Sequence, residues 1–228
     1  MLSPTFRVVS AATLLLVALF AVGCGGGGSH TQLRIMQASP GTPNVDVEVD
    51  GKTVASDIAY SSTTGYLTVD SGSRHVQIFQ TGTTTGALID QTINLGSGTS
   101  STYLISNFSS ALDFTGFTDD NTAPDTGNFK LRVINASPTL GPVDVYVVTP
   151  GTNISTVTPT FTNLQFNTAS IYLNQVAAAE EIFFTSPGTK FVRIDTNTLN
   201  FAAGQIRTLV ALDDTSGGFT FTTLSDLN

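Results

Sequence analysis

The stretch "LRIMQASP" at residues 33–40 returns almost unchanged as "LRVINASP" at residues 131–138. At the same spacing of 98 residues, "VDV" at 45–47 is matched by "VDV" at 143–145. Self-similarity at a fixed spacing is the sequence signature of a duplicated structural unit. The sequence therefore predicts one domain that occurs twice, here called copy one and copy two.

The spacing between matching residues changes further along the chain. Tyr66-Leu67 matches Tyr172-Leu173, and Gly82 matches Gly188, each at a spacing of 106 residues. Copy two therefore carries about eight additional residues, which the Thr- and Pro-rich segment 149–162 accommodates as an enlarged hairpin loop. Because scaffolds commonly place binding residues on loops, this loop is the best candidate surface for a partner.

Apolar and polar residues alternate within each copy. In "VDVEVDG", residues 45–51, three valines alternate with Asp46, Glu48 and Asp50, which predicts a strand with one apolar and one acidic face. The acidic face is interpreted as solvated and protecting a sheet edge. Asp50-Gly51 is a typical hairpin turn. Further strands are predicted at 65–69, 75–79, 88–95 and 102–108, and in copy two at 169–173, 181–185, 191–195 and 207–212.

About seven short strands in about 95 residues, without a convincing amphipathic helix, predict an all-β chain of two tandem immunoglobulin-like antiparallel β-sandwich domains. The segment "AAAEE" at 177–181 is left open between one helical turn and a plain turn, as at its counterpart 70–74. The polar stretch 119–128 predicts the boundary between the copies. The predicted segments are 1–23, a signal peptide; 24–30, a glycine tether; 31–122, copy one; 123–128, a linker; and 129–228, copy two.

The repeated pattern "LR(I/V)xxASPxxPxVDVxVDG", followed by Tyr60 and "GYLTV" at 65–69, resembles the bacterial envelope domain named domain of unknown function (DUF) 4397. Copy one carries the pattern from Leu33 to about Phe79. Copy two keeps 131–147 but has "VTPG" and a longer loop where copy one has the hairpin. The resemblance implies an extracytoplasmic β-sandwich and no particular activity.

The N-terminal segment predicts a lipid anchor. Arg7 precedes an apolar stretch at 8–22, which fits a signal-peptide core and is short for a membrane span. "AVGC" at 21–24 then resembles the bacterial lipobox, in which the thiol receives a diacylglyceryl group. Four glycines at 25–28 form a flexible tether. Cys24 is therefore predicted as the lipid attachment site and mature N-terminus.

These features predict an extracytoplasmic, lipid-anchored protein of the bacterial cell envelope, at the outer membrane in a diderm because Gly25 follows the cysteine. The membrane is then one partner, through the N-terminal lipid. An envelope protein or a polysaccharide is the expected second partner. The formal net charge of −8 argues against nucleic acid, since a phosphate backbone requires basic residues.

The inventory of reactive groups argues against an enzyme, a metal site or a bound cofactor. One cysteine and two histidines are insufficient for an ordinary zinc site. His75 alternates with apolar Val76 and is predicted to face solvent. Asp46 and Glu48 are about 7 Å apart on one strand face, a spacing that would suit an inverting glycosidase, but copy two keeps only the first carboxylate. The Asp pairs at 119–120 and 213–214 do not match a calcium loop, so at most adventitious binding is expected.

Two functions therefore remain open. The first is a non-catalytic spacer or protein-interaction and adhesion module. The alternative is a carbohydrate-binding module, which the absence of tryptophan disfavours because sugars usually bind on broad aromatic faces. The tyrosines that could replace tryptophan are Tyr60, Tyr66, Tyr146 and Tyr172.

Overall fold

The computed structural model describes residues 29–226, which form β-strands, their connections and a single turn of 3₁₀ helix at Ile154–Thr156. The predicted all-β class is confirmed. The first eight strands are β1 (His30–Gln37), β2 (Val45–Val49), β3 (Lys52–Ile58), β4 (Thr63–Asp70), β5 (Gly72–Gln80), β6 (Ile89–Leu95), β7 (Ser100–Ser106) and β8 (Asp113–Asp119). The others are β9 (Asn128–Asn135), β10 (Val143–Val148), β11 (Phe161–Leu164), β12 (Thr168–Ala169), β13 (Leu173–Val176), β14 (Ala179–Thr185), β15 (Val192–Asn200), β16 (Ile206–Asp213) and β17 (Phe219–Ser225).

The strands form four sheets that pack as two β-sandwiches. In the first sandwich, a sheet of order β4-β1-β7-β8 faces one of order β3-β2-β5-β6. In the second, the order β12-β9-β16-β17, with β13 also paired to β9, faces β11-β10-β14-β15. Pairing is antiparallel except for β1 with β7 and β9 with β16. The immunoglobulin-like type stays a prediction.

The period-two pattern determines which side chains enter the cores. On β2 the side chains of Val45, Val47 and Val49 are buried between the sheets of the first sandwich. Asp50 and Gly51 both have positive φ, 51° and 73°, as a two-residue hairpin with a matching twist requires. The predicted hairpin is confirmed.

The interpretation of the acidic face as edge protection is wrong, because β2 lies between β3 and β5 rather than at an edge. The helical alternative for 177–181 is also wrong, since β14 begins at Ala179. The predicted strand at 169–173 is interrupted, because only Thr168–Ala169 and Leu173–Val176 pair with β9.

The repeated "ASP" motifs form corners at the ends of β1 and β9. Gln37 accepts a hydrogen bond from the Ser39 amide at 2.6 Å, and Asn135 accepts one from the Ser137 amide at 3.3 Å. Pro40 then follows, and a proline cannot donate to a sheet. The residue pattern thus ends pairing at the same point in both sandwiches.

The two sandwiches pack face to face through the sheets that contain β1 and β9, here called the inner sheets. Their facing sides bury a third apolar cluster. Its buried members are Met36, Ala38, Leu104, Ile134, Ala136, Val210, Leu212 and Leu224. Removing this apolar area from water provides a continuous driving force for holding the sandwiches together.

Strands β1 and β9, one from each inner sheet, run in the same direction. Arg34, in the middle of β1, contacts Asp226, whose amide donates to the carbonyl of Ile206 beside the start of β9. Tyr60, beside the end of β1, donates to the carbonyl of Asp213 at the end of β16. The starts of β1 and β9 therefore lie at one end of the molecule, here called the entry pole, because the chain enters the first sandwich there.

Candidate functional site

Arg34, on the inner sheet of the first sandwich, is the largest fully buried side chain among residues 29–226. Its Nη2 donates to Asp226 at 2.5 Å, and its Nε donates to Thr102 at 3.0 Å. The guanidinium also lies 4.5 Å from the ring centroid of Tyr66. Arg34 thus bridges the two sandwiches through hydrogen bonds from its guanidinium.

Arg132 repeats this arrangement from the second sandwich. Its Nη2 donates to Asp119 at 2.5 Å, its Nε donates to Thr208 at 3.2 Å, and the guanidinium lies 4.9 Å from the Tyr172 ring centroid. Tyr66 donates to Asp119 at 2.7 Å, which links the two halves of the arrangement. We call these paired arginines, aspartates, threonines and tyrosines the interface network.

The interface network is closed to ligands. The side chains of Arg34 and Arg132 are 2% and 3% exposed, and those of Asp119 and Asp226 are fully buried. Burial, opposed in part by the nearby Arg34, raises the pKa of Tyr66 well above its usual range, so its hydroxyl keeps the proton that it donates. These ionised groups hold the sandwiches in register and are not available for chemistry. The sequence carried one signal for this, an arginine between apolar residues at the same place in both copies.

The predicted catalytic candidates do not converge. His75 is exposed on β5 next to the buried Val76, as predicted, and its Nε2 lies 2.6 Å from Asp90. The hydrogen bond with His75 lowers the pKa of Asp90. Asp50 binds the His75 amide and Arg74, while Glu48 accepts only from Thr53.

The carboxylate that both copies keep has a structural role. Asp46 accepts from the amides of Asp57 at 2.8 Å and Gly82 at 3.1 Å, and the first of these bonds lowers its pKa most strongly. Asp144 accepts in the same way from Asn163 at 2.8 Å and Gly188 at 2.7 Å. Each aspartate therefore joins two loops by capping backbone amides.

Asp144→Ala should lower the free energy of unfolding by about 3 kcal/mol, because two backbone amides lose a charged acceptor at a site that is only 4% exposed. Urea denaturation followed by circular dichroism measures this. Asp195→Ala removes one local acceptor of an exposed amide and should cost less than about 1 kcal/mol. Equal losses for the two variants would contradict the capping role.

The paired aspartates are engaged within the protein. Asp120 pairs with Lys130 at 2.7 Å, a contact that lowers the pKa of this carboxyl, and Asp214 accepts from Ser216. Asp213 accepts from Ser137 and Thr139. Within residues 29–226, no three histidine, cysteine, aspartate or glutamate side chains are grouped as metal ligands.

The tyrosines considered as a sugar platform are mostly used in packing. Tyr66 and Tyr172 lie against arginines of the interface network. Tyr60 crosses between the sandwiches to the Asp213 carbonyl, and burial raises its pKa to about 12. Tyr146 is 2% exposed, with the Lys190 ammonium over its ring. None of the four presents a free aromatic face of the kind that binds sugar rings.

Two clefts open at the entry pole, between the two sheets of each sandwich. The charged cleft of the first sandwich, about 260 Å³, is lined by His30, Asp50, Lys52, Asp70 and Arg74. Arg74 pairs with Asp50 at 2.8 Å and His30 with Asp70 at 3.2 Å. In both pairs the opposite charges are therefore provided by side chains of the first sandwich itself.

The second sandwich has a larger cleft of about 630 Å³ at the corresponding place, here called the valine cleft. Its apolar and acidic lining consists of Val147, Val148, Val157, Ala178, Val176 and Glu180. The enlarged loop predicted at 149–162 spans residues 149–160 between β10 and β11, and Thr149, Thr152 and Val157 form one wall of the cleft. The loop is held in place by buried Ile154 and by Lys190, which donates to the Val157 carbonyl.

Cys24, the predicted lipid attachment site, lies outside the described residues, as do the predicted signal peptide and the glycines that follow it. Within the described residues, no helix is long and apolar enough to cross a membrane.

The fold and these sites define a class of all-β protein in which two sandwiches are joined by a buried ionic interface. Comparison with known families is more specific. Residues 31–146 match the family described as Domain of unknown function (DUF4397), and the chain belongs to this family, as the repeated motif predicted. No curated protein matches the sequence with significant similarity.

Two solved structures align over most of the chain at low similarity. One is a carbohydrate-binding module of family CBM26 from Eubacterium rectale Amy13K, in complex with maltoheptaose, at 11% identity and a TM-score of 0.28, covering 87% of this chain and 98% of that one. The other is the Bacillus anthracis TIE protein, at 12% identity and a TM-score of 0.23, covering 86% of this chain and 44% of that one. Neither TM-score supports an inference about function.

Proposed function

We propose that the protein is a non-catalytic lipoprotein of the bacterial cell envelope that acts as a spacer and protein-interaction module. The interface network is the observation that carries this proposal, because it fixes the two sandwiches as one unit. Breaking a buried ion pair of this kind is strongly unfavourable, so the sandwiches do not swing independently. A rigid body is suited to holding a binding surface at a set distance from the proposed anchor.

The proposed anchor also orients the molecule. Five residues lie between Cys24 and His30, where β1 begins, and the six steps from one to the other span at most about 20 Å in an extended chain. The entry pole with both clefts would then face the membrane. The corner motifs that end at Pro40 and Pro138 would face away. The enlarged loop would then contact partners near the membrane surface rather than distant ones.

A non-catalytic role agrees with the use of the titratable groups. The carboxylates considered for hydrolysis cap amides or pair with neighbours, as Asp46 does with Asp57 and Gly82. The buried arginines and aspartates are paired with each other. Such pairing stabilises a structure rather than positioning these groups as an acid and a base around a common substrate site.

Cys24→Ser should abolish labelling by a fatty-acid probe and release the protein from membranes of a bacterial host, since only a thiol can carry the thioether-linked lipid. Labelling is read from a gel, and release from fractionation of the cells. Ser29→Ala, which leaves the cysteine in place, is the control and should remain labelled and membrane-bound. Membrane retention of the cysteine variant at the wild-type level would refute the anchor.

The alternative is a carbohydrate-binding module, acting on a polysaccharide or the cell wall. Exposed aromatic side chains outside the four tyrosines would have to form the platform, and Phe191 is 67% exposed. A glycan array and a cell-wall pulldown distinguish the alternatives. Retention on glycans that is lost in Phe191→Ala would favour carbohydrate binding, whereas capture of an envelope protein without glycan retention would favour the interaction module.

A further inference from the structure

Glu180 lies inside the valine cleft. On β14 its side chain is on the same face as Ile182 and Phe184, which point into the core, and the residue is only 7% exposed. The Gln175 amide donates to its Oε1 at 2.7 Å. Among residues 29–226, no basic side chain forms an ion pair with this carboxylate. Burial raises the pKa of Glu180, since its ionised carboxylate has no counter-charge here, and a cation placed in the cleft would stabilise the ionised form.

The charged cleft shows what the same site contains when the chain supplies both charges. Arg74 occupies the position equivalent to Glu180, 106 residues earlier, and pairs with Asp50. The residue equivalent to Asp50 in the second sandwich is Val148. The second sandwich therefore has a negative side chain, Glu180, where the first has the positive Arg74. It also has an apolar side chain, Val148, where the first has the partner of Arg74.

The edge beside the valine cleft is also apolar. β13 pairs only with β9, and along this edge Ile171 and Val176 are 80% and 71% exposed. The first sandwich has Gly65 and Asp70 at these positions. An exposed apolar edge next to a buried carboxylate is the composition of a surface that binds a partner carrying both apolar and basic groups.

We infer that the valine cleft binds a lysine side chain from an extended segment of a protein partner. The aliphatic stem of a lysine would lie against Val148 and Val176, and its ammonium group would reach Glu180. Apolar residues flanking the lysine would cover the exposed edge. The formal net charge of −8 favours the approach of a basic segment. This inference rests on the proposed role as an interaction module and specifies its partner.

The test compares two peptides that differ only in one amine, acetyl-Val-Lys-Val-amide and acetyl-Val-norleucine-Val-amide. Full-length protein in detergent, with labelled valine methyl groups, is titrated with each peptide and observed by NMR. The lysine peptide should shift the methyl signals of Val148 and Val176 and bind at least about tenfold more tightly than the norleucine peptide. Glu180→Gln should remove this difference, whereas Glu48→Gln on the exposed face of β2 should preserve it.

A second variant keeps the inference testable if Glu180→Gln disturbs the fold. Val148→Lys supplies the cation from within the chain, as in the charged cleft, and should abolish peptide binding while raising the melting temperature. Equal affinity for the two peptides, or no shift of these methyl signals up to about 20 mM lysine peptide, would overturn the inference. Membrane release by Cys24→Ser is independent of the cleft, so the inference can fail while the proposed anchored module stands.

Discussion

Asp119→Ala is expected to lower the free energy of unfolding by about 3–5 kcal/mol, because it leaves Arg132 charged and without its carboxylate in a buried interface. Tyr66 and Thr102 lose their acceptor at the same time. Urea denaturation of wild type and variant measures the difference. A loss of this size is a large fraction of the 5–15 kcal/mol that typically stabilises a protein.

The neighbouring residue provides the control for this experiment. Asp120 pairs with Lys130, but its side chain is 45% exposed, so Asp120→Ala should cost about 1 kcal/mol or less. Asp226→Ala removes the equivalent partner of Arg34 and should resemble Asp119→Ala. Equal, small losses for Asp119→Ala and Asp120→Ala would show that the interface network contributes little to stability.

Local patterns in the sequence were sufficient to predict much of the fold. Alternating valines at 45–49 and the Asp50-Gly51 dipeptide predict β2, its inward face and its turn, since both depend on neighbouring residues. The strands at 52–58, 113–119, 161–164 and 219–225 were not predicted. All four are edge strands, and their pairing is determined by strands elsewhere in the sheet rather than by local pattern.

The interface network could not be predicted from local sequence patterns. Arg34 and Asp226 are 192 residues apart, and no local pattern pairs them. Two arginines at matching positions could have suggested a shared role, but not that each binds an aspartate of the other sandwich. The placement of the starts of β1 and β9 at the same pole likewise depends on contacts between the two sandwiches, which local sequence does not determine.

The valine cleft was predicted only in part. The change in spacing located the enlarged loop that forms one wall of the cleft. Glu180 was not singled out, because the "AAAEE" segment left the choice between a helical turn and a plain turn open. Only the register of β14, which begins at Ala179, shows that Glu180 faces inward and Glu181 outward.

Val47→Asp should unfold both sandwiches in one transition. Val47 is completely buried in the first core, and placing a carboxylate there costs several kcal/mol, enough to unfold that sandwich. The second sandwich would then lose the acceptor of Arg132 and the apolar cover of Ile134 and Val210. Although the complete strand set of each copy predicts that it can fold alone, the buried interface predicts that damage to one sandwich spreads to the other.

Hydrogen exchange shows whether unfolding of the first sandwich also unfolds the second, because it reports the protection of each strand separately. In Val47→Asp, amides of β9 and β16 should lose protection together with those of β1 and β7, and Val145→Asp should produce the reciprocal result. Ser56→Asp, an exposed change on β3, should leave both sandwiches protected. If β9 and β16 kept wild-type protection in Val47→Asp, the sandwiches would be independent, and the interface network would serve to orient them rather than to stabilise them.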